Sequence, residues 1–188
     1  MGDLAGLDDV GDRAIQLWPS HPAVWMARYW TYAHTGRCHA ALSMLDDADT
    51  RPRMPEPAIR LLRLPVVAYI EGGTAAIDEA ARVCVTFGAG GPAQAISAFQ
   101  GLGLLGRVDD LFEVAYAYYV REGPGPVPLR RTNDEPSIND QHRRVTQALF
   151  TPALAAMRED QPRFVELCER MGLAAYWEAT GLSPDFLA

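Results

Sequence analysis

The sequence predicts an all-α chain built around three successive helical hairpins. Apolar residues recur at three- and four-residue spacing and nowhere alternate, the pattern of helices that bury one stripe. Proline falls at Pro22, Pro57 and Pro92, two equal steps of 35 residues (from 22 to 57 and from 57 to 92). Glycine falls inside each step or just past the last, at Gly36, at Gly72–Gly73 and at Gly106, where a helix has to stop and turn. A period in the thirties marks stacked hairpins, because one hairpin cannot bury its apolar face alone.

The opening stretch carries Leu4, Leu7, Val10, Ala14 and Leu17 on one helix face, with no hairpin partner before it. Pro22 opens the next helix, at a first turn that needs no N–H, with Ser20 or His21 placed to cap it. Gly36 ends that helix, and Ala40, Ala41, Met44, Leu45 and Ala48 form the stripe of the returning one until the proline-rich segment from Arg51 to Pro57. Pro57 begins the second unit, whose long helix contains Pro65 and is expected to kink there. Ala76, Ile77, Ala80, Ala81 and Val83 face inward from its partner, and the Gly88–Gly91 loop ends the unit. Pro92 starts the third, Gly106 turns it, and Leu111, Val114, Ala115 and Tyr118 return. The stretch 122–139, rich in Gly and Pro, reads as a loop. Helices are expected again over 140–150, 152–158, 162–171 and 174–180, a non-repeat helical cap spanning 140–188.

Composition narrows the function classes. A net charge of −7 opposes binding to phosphate backbones, so no nucleic acid is expected on this segment. The three cysteines Cys38, Cys84 and Cys168 are far apart and odd in number, which fits a reducing cytoplasm better than a disulfide framework. No apolar run reaches the roughly 18 to 20 residues of a membrane span, and the first residues lack the basic and apolar regions of a signal peptide, so no membrane association is expected.

The first unit supplies Trp25, Tyr32, Gly36, Ala41 and Ala48 at the fourth, eleventh, fifteenth, twentieth and twenty-seventh places counted from Pro22, a pattern that resembles the tetratricopeptide repeat. Arg28 and Tyr29 replace that family's usual Leu and Gly, and the second and third units are degenerate. Pro19 stands where the family closes one repeat before the next, so residues 1–21 look like the tail of an earlier repeat and 1–121 like an array. The resemblance implies a right-handed α-solenoid. The ending from Arg163 to Phe186 looks like the close of bacterial tetratricopeptide proteins that follow a winged-helix or other signalling domain. That implies the sensory or interaction half of a larger regulator.

In this family the first helix of each unit lines a concave surface. Transferred place by place, the resemblance puts Met26, Trp30 and His34 of unit one, Leu61 and Tyr69 of unit two, and Ile96 and Gln100 of unit three on that surface. The floor is apolar. A clamp for a peptide carboxylate would need Lys and Asn where Met26 and Trp30 stand, so an amphipathic helix from a protein or peptide partner fits better. Two alternatives stay open: the chain's own C-terminal helices fill the groove, or groove and cap together form a small-molecule sensor pocket controlling an effector domain.

Catalytic and cofactor signals weigh less. Gly101-Leu102-Gly103-Leu104-Leu105-Gly106 spells a dinucleotide fingerprint, yet it ends a helix instead of joining a strand to one, so close packing and a turn explain it better. His34, Cys38 and His39 lie close in sequence but fall short of the four ligands of a structural zinc site, so no metal is expected. The pairs Asp46–Asp47 and Asp109–Asp110 read as solvated helix faces, and no nucleophile motif is present. No cofactor and no enzymatic activity are expected.

Overall fold

The computed structural model describes residues 3–19, 21–123 and 146–182, and among these every regular element is helical. In chain order they are α1 (Leu4–Leu17), α2 (Pro22–His34), α3 (Cys38–Asp46), α4 (Glu56–Glu71), α5 (Thr74–Gly88), α6 (Pro92–Leu104) and α7 (Val108–Ala115). A π-helical turn, Tyr116–Val120, continues α7. After two 3₁₀ turns, Thr146–Phe150 and Pro152–Leu154, come α8 (Ala155–Glu159), α9 (Gln161–Arg170) and α10 (Leu173–Thr180). Most of the predicted loop and the start of the helix expected from Asp140 lie outside the described residues.

Helices adjacent in sequence pack on each other, α2 on α3, α4 on α5 and α6 on α7, while α3 meets α4 and α5 meets α6. The turn glycines make this possible. Gly36, Gly72 and Gly106 adopt φ of 77°, 70° and 68°, left-handed values that favour residues without a β-carbon. At two of these turns the arginine after the glycine closes the helix, Arg37 N–H donating to the Tyr32 carbonyl at 2.9 Å and Arg107 N–H to that of Leu102 at 3.0 Å. Both side chains then reach back 29 positions, Arg37 to Asp8 and Arg107 to Asp78. The two pairs are offset by 70 positions, two of the 35-residue steps, so the same tie joins α1 to the turn after α2 and α5 to the turn after α6.

Two apolar clusters fill the interior. Trp25, Tyr29, Leu45, Leu62 and Val66 join α2, α3 and α4. Trp25 stacks on Tyr29 at 5.5 Å, and the Tyr29 hydroxyl donates to the Leu62 carbonyl at 2.7 Å, satisfying a buried polar group across helices. A larger cluster joins α4 through α7 to the cap, with Phe99, Leu102, Phe112, Leu149, Leu154 and Phe164 all at most 1% exposed.

The glycines of the fingerprint-like segment each have a steric reason. A β-carbon on Gly101 would stand 2.9 Å from Pro65 Cγ and 3.0 Å from Cys84 Sγ, and one on Gly103 would fall on the Ala153 carbonyl oxygen. Gly106 makes the turn. Pro65 itself lies within α4, which runs unbroken across it, and is buried against α6.

In the cap, the helices expected over 140–150 and 152–158 are, where described, 3₁₀ turns followed by the short α8. The guanidinium of Arg158 takes the Leu149 carbonyl at 2.8 Å and the Thr151 carbonyl at 3.1 Å, so these backbone acceptors find a tertiary partner in place of a continuous helical ladder.

α1 is attached differently from every other helix up to α9, for none of its residues is buried. Arg28, whose side chain is 5% exposed, donates to Asp8 at 2.8 Å and to Asp12 at 2.6 Å, and Arg37 holds Asp8 from the other side at 2.7 Å. Both guanidinium groups lie over the Tyr32 ring, at 4.4 and 4.8 Å. Gly11 leaves the space, since a β-carbon there would come within 2.6 Å of Arg28 Nη1. The unusual Arg28 is thus the anchor of the N-terminal helix.

Candidate functional site

α2 presents Ala23, Met26, Trp30 and His34 along one stripe, three or four residues apart, and α6 presents Ile96 and Gln100 opposite them. The two helices touch directly. Leu7 of α1 and the turn Thr151–Ala153 complete the walls of a cavity of about 570 Å³. The turn is held there because it rests on Gly103.

Among the described residues no charged side chain lines this groove. Three of its hydroxyls are turned onto their own backbone: Thr35 donates to the Thr31 carbonyl at 2.6 Å, Ser97 to that of Ala93 at 3.1 Å, and Thr151 to that of Ala148 at 2.8 Å. What remains facing the space is mainly apolar, with Thr31, His34 and Gln100 the polar side chains. Trp30 Nε1 and His34 Nε2 are buried and have no hydrogen-bond partner among the described residues. Burial pushes the His34 imidazole below its ordinary value, with Gln100 beside it partly offsetting the effect, so the ring is neutral at pH 7.

Five of the seven residues expected on the concave surface therefore meet: Met26, Trp30, His34, Ile96 and Gln100. The two from the second unit do not. Leu61 is 2% exposed, buried in the cluster that α4 shares with the cap, and Tyr69 stands 49% exposed near the end of α4, away from the cavity. The direct approach of α2 to α6, with α4 packed on α5 and α6, leaves α4 without a share of the groove. Leu7 and residues 151–153 join the site from outside the repeat frame, by tertiary contact that no sequence period encodes. Ala27 and Thr31, by contrast, flank the Met26–Trp30 stripe one position on, and helical spacing alone locates them.

The acidic pairs are structural. Asp46 pairs with Arg63, Asp47 accepts from the Thr50 hydroxyl at 2.7 Å, Asp109 pairs with Arg163 at 2.7 Å and Asp110 with Arg107 at 2.7 Å. The Arg63 guanidinium holds the Asp46 carboxyl below its usual range, and the bond from Thr50 does the same for Asp47. Cys38 is buried in the core and His39 is exposed, so they do not converge with His34. Among the described residues no group of three His, Cys, Asp or Glu side chains is placed to hold a metal ion, and no helix is long and apolar enough to cross a membrane. The chain matches no known family model, no curated protein and no solved structure.

Proposed function

We propose that the chain is a non-catalytic interaction module of tetratricopeptide-like hairpins that docks an amphipathic helix of a partner protein, as the interaction half of a larger bacterial regulator. One observation carries this reading: the groove between α2 and α6 is mainly apolar and, among the described residues, free of charged side chains. From Ala23 to Thr35 it follows α2 for about 18 Å, the length of roughly three turns of a bound helix. Met26 and Ile96, over the buried Trp30, supply apolar contacts of the kind that anchor such a helix. Selecting peptides from a random displayed library tests it. The expected result is enrichment of sequences with apolar residues at i, i+3, i+4 and i+7, lost when Met26→Asp protein is the bait. Equal enrichment on both baits, or none, overturns it.

A second reading has its own support. Leu7 at one side and Pro152–Ala153 at the other bound the groove, and its volume lies within the roughly 300 to 1,000 Å³ of small-molecule pockets. On this reading an uncharged apolar compound is the occupant, and it raises the melting temperature of the wild type but not of Met26→Asp.

A further inference from the structure

A second cavity, of about 420 Å³, lies between the start of α4, the end of α5 and the start of α6, and shares no lining residue with the groove. We propose that it binds a small organic carboxylate carrying an apolar tail. Its charged lining consists of Arg60 and Arg82, with no acid among the described residues, in a chain whose net charge is −7. The apolar lining is Pro57, Val83 and Phe87, and Phe87 is packed against the larger core cluster, so this floor is fixed. The Thr86 hydroxyl donates to the Arg82 carbonyl at 2.8 Å and is thereby occupied within its own helix. Two cations beside an apolar floor match an amphiphilic anion better than a neutral compound or a bare ion.

The chain itself shows how the two arginines hold a carboxylate. Arg82 donates to Glu79 Oε2 through Nε at 3.0 Å and through Nη2 at 2.6 Å, while Arg60 Nη2 stands 3.6 Å from Oε1 of the same group. Glu79 is the shared partner of both and does not itself line the cavity. One carboxylate against two guanidinium groups leaves one positive charge over, and each guanidinium has five N–H donors, more than Glu79 engages. The planar fork of arginine suits a second carboxylate better than a point charge would. At the far edge, the Gln94 side chain lies over the glycine turn, its Oε1 3.0 Å from where a β-carbon of Gly91 would stand, and adds a neutral amide to the lining. The site is independent of the groove reading, since neither Met26 nor Ile96 takes part.

Titration of the full chain with benzoate, followed by amide chemical shifts, tests it. The expected result is saturable movement of amides in the Arg82–Gly90 stretch, with a dissociation constant on the order of a millimolar and no movement at Trp30 or Ile96. Benzamide has the same shape without the charge and acetate the charge without the ring, and each should bind roughly tenfold more weakly or less. Arg60→Gln and Arg82→Gln should melt like the wild type, because both side chains are largely exposed. Each should weaken benzoate binding roughly tenfold, the loss of a charged hydrogen-bond donor. Glu79→Gln, which frees both guanidinium groups, should tighten it. No saturation at about twenty times the expected constant overturns the inference. So does benzamide binding as tightly as benzoate, binding indifferent to both arginine variants, shifts centred on Trp30 and Ile96, or a Glu79→Gln protein no tighter than the wild type.

Discussion

The carbonyl oxygen of Ala153 rests on the Cα of Gly103, in the place a β-carbon would occupy. That approach brings the cap turn onto α6, beside the buried Leu149 and Leu154, and makes one wall of the groove. Gly103→Val should therefore lift the turn, at a cost of about 1 to 3 kcal/mol for overpacking. Denaturant melts measure the loss, and a stability equal to that of the wild type would show that the cap is held elsewhere.

Trp30 and Met26 should separate in their effects. Trp30 is 5% exposed and packs edge-on against Tyr29 at 5.1 Å, so Trp30→Ala opens a core cavity and should cost on the order of 3 to 5 kcal/mol. Met26 is half-buried at the edge of that core, and Met26→Asp should cost less stability than Trp30→Ala while abolishing binding in the groove. Thermal melts and peptide binding of the two variants check both halves.

His34 should make stability depend on mildly acidic pH. Its folded pKa is lowered by burial, so the unfolded chain takes up a proton first. The stabilisation is complete above the unfolded value near 6.5 and declines as pH falls through it toward the folded value. Melting temperatures from pH 7.5 to 5 should show a descent that His34→Gln removes.

Asp8 behaves alike at lower pH. The hydrogen bond from Arg37 and the charges of Arg37 and Arg28 lower its pKa, so its contribution is full above the ordinary carboxylate value near 4 and is lost as pH falls through the folded value. Since α1 buries no residue, this should appear as loss of amide protection in α1 before the rest of the chain unfolds. Arg28→Met should produce the same local exposure at pH 7, read by hydrogen exchange.

Tyr29→Phe should destabilise by about 1 to 2 kcal/mol, since the Leu62 carbonyl loses its only partner from another helix at a buried site. Equal denaturation midpoints for variant and wild type would count against that bond.

Local chemistry made most of the helices legible in the sequence. Pro22, Pro57 and Pro92 stand at or just inside the starts of α2, α4 and α6, and Gly36, Gly72 and Gly106 turn the chain with the left-handed backbone that their position implies. The stripe along α2 followed from helical spacing. Leu61 shared that spacing, yet it is buried where α4 packs on α5 and α6, and which face of a helix its neighbours cover is not written in the spacing. Arg28 looked like a departure from a repeat pattern. Its role emerges only with Asp8, Asp12 and Gly11 beside it, and no period places an ion pair between residues 16 and 20 positions apart.

The two 29-residue ties, Arg37 to Asp8 and Arg107 to Asp78, also govern how this chain tolerates changes of length. Each acts as a ruler between a turn and the helix of the preceding unit. Inserting or deleting a residue within either span rotates one end by about 100° of helix and pulls the arginine off its aspartate. The connection between α3 and α4 lies in neither span, so its exposed stretch from Asp47 to Thr50 is where added residues leave both rulers intact.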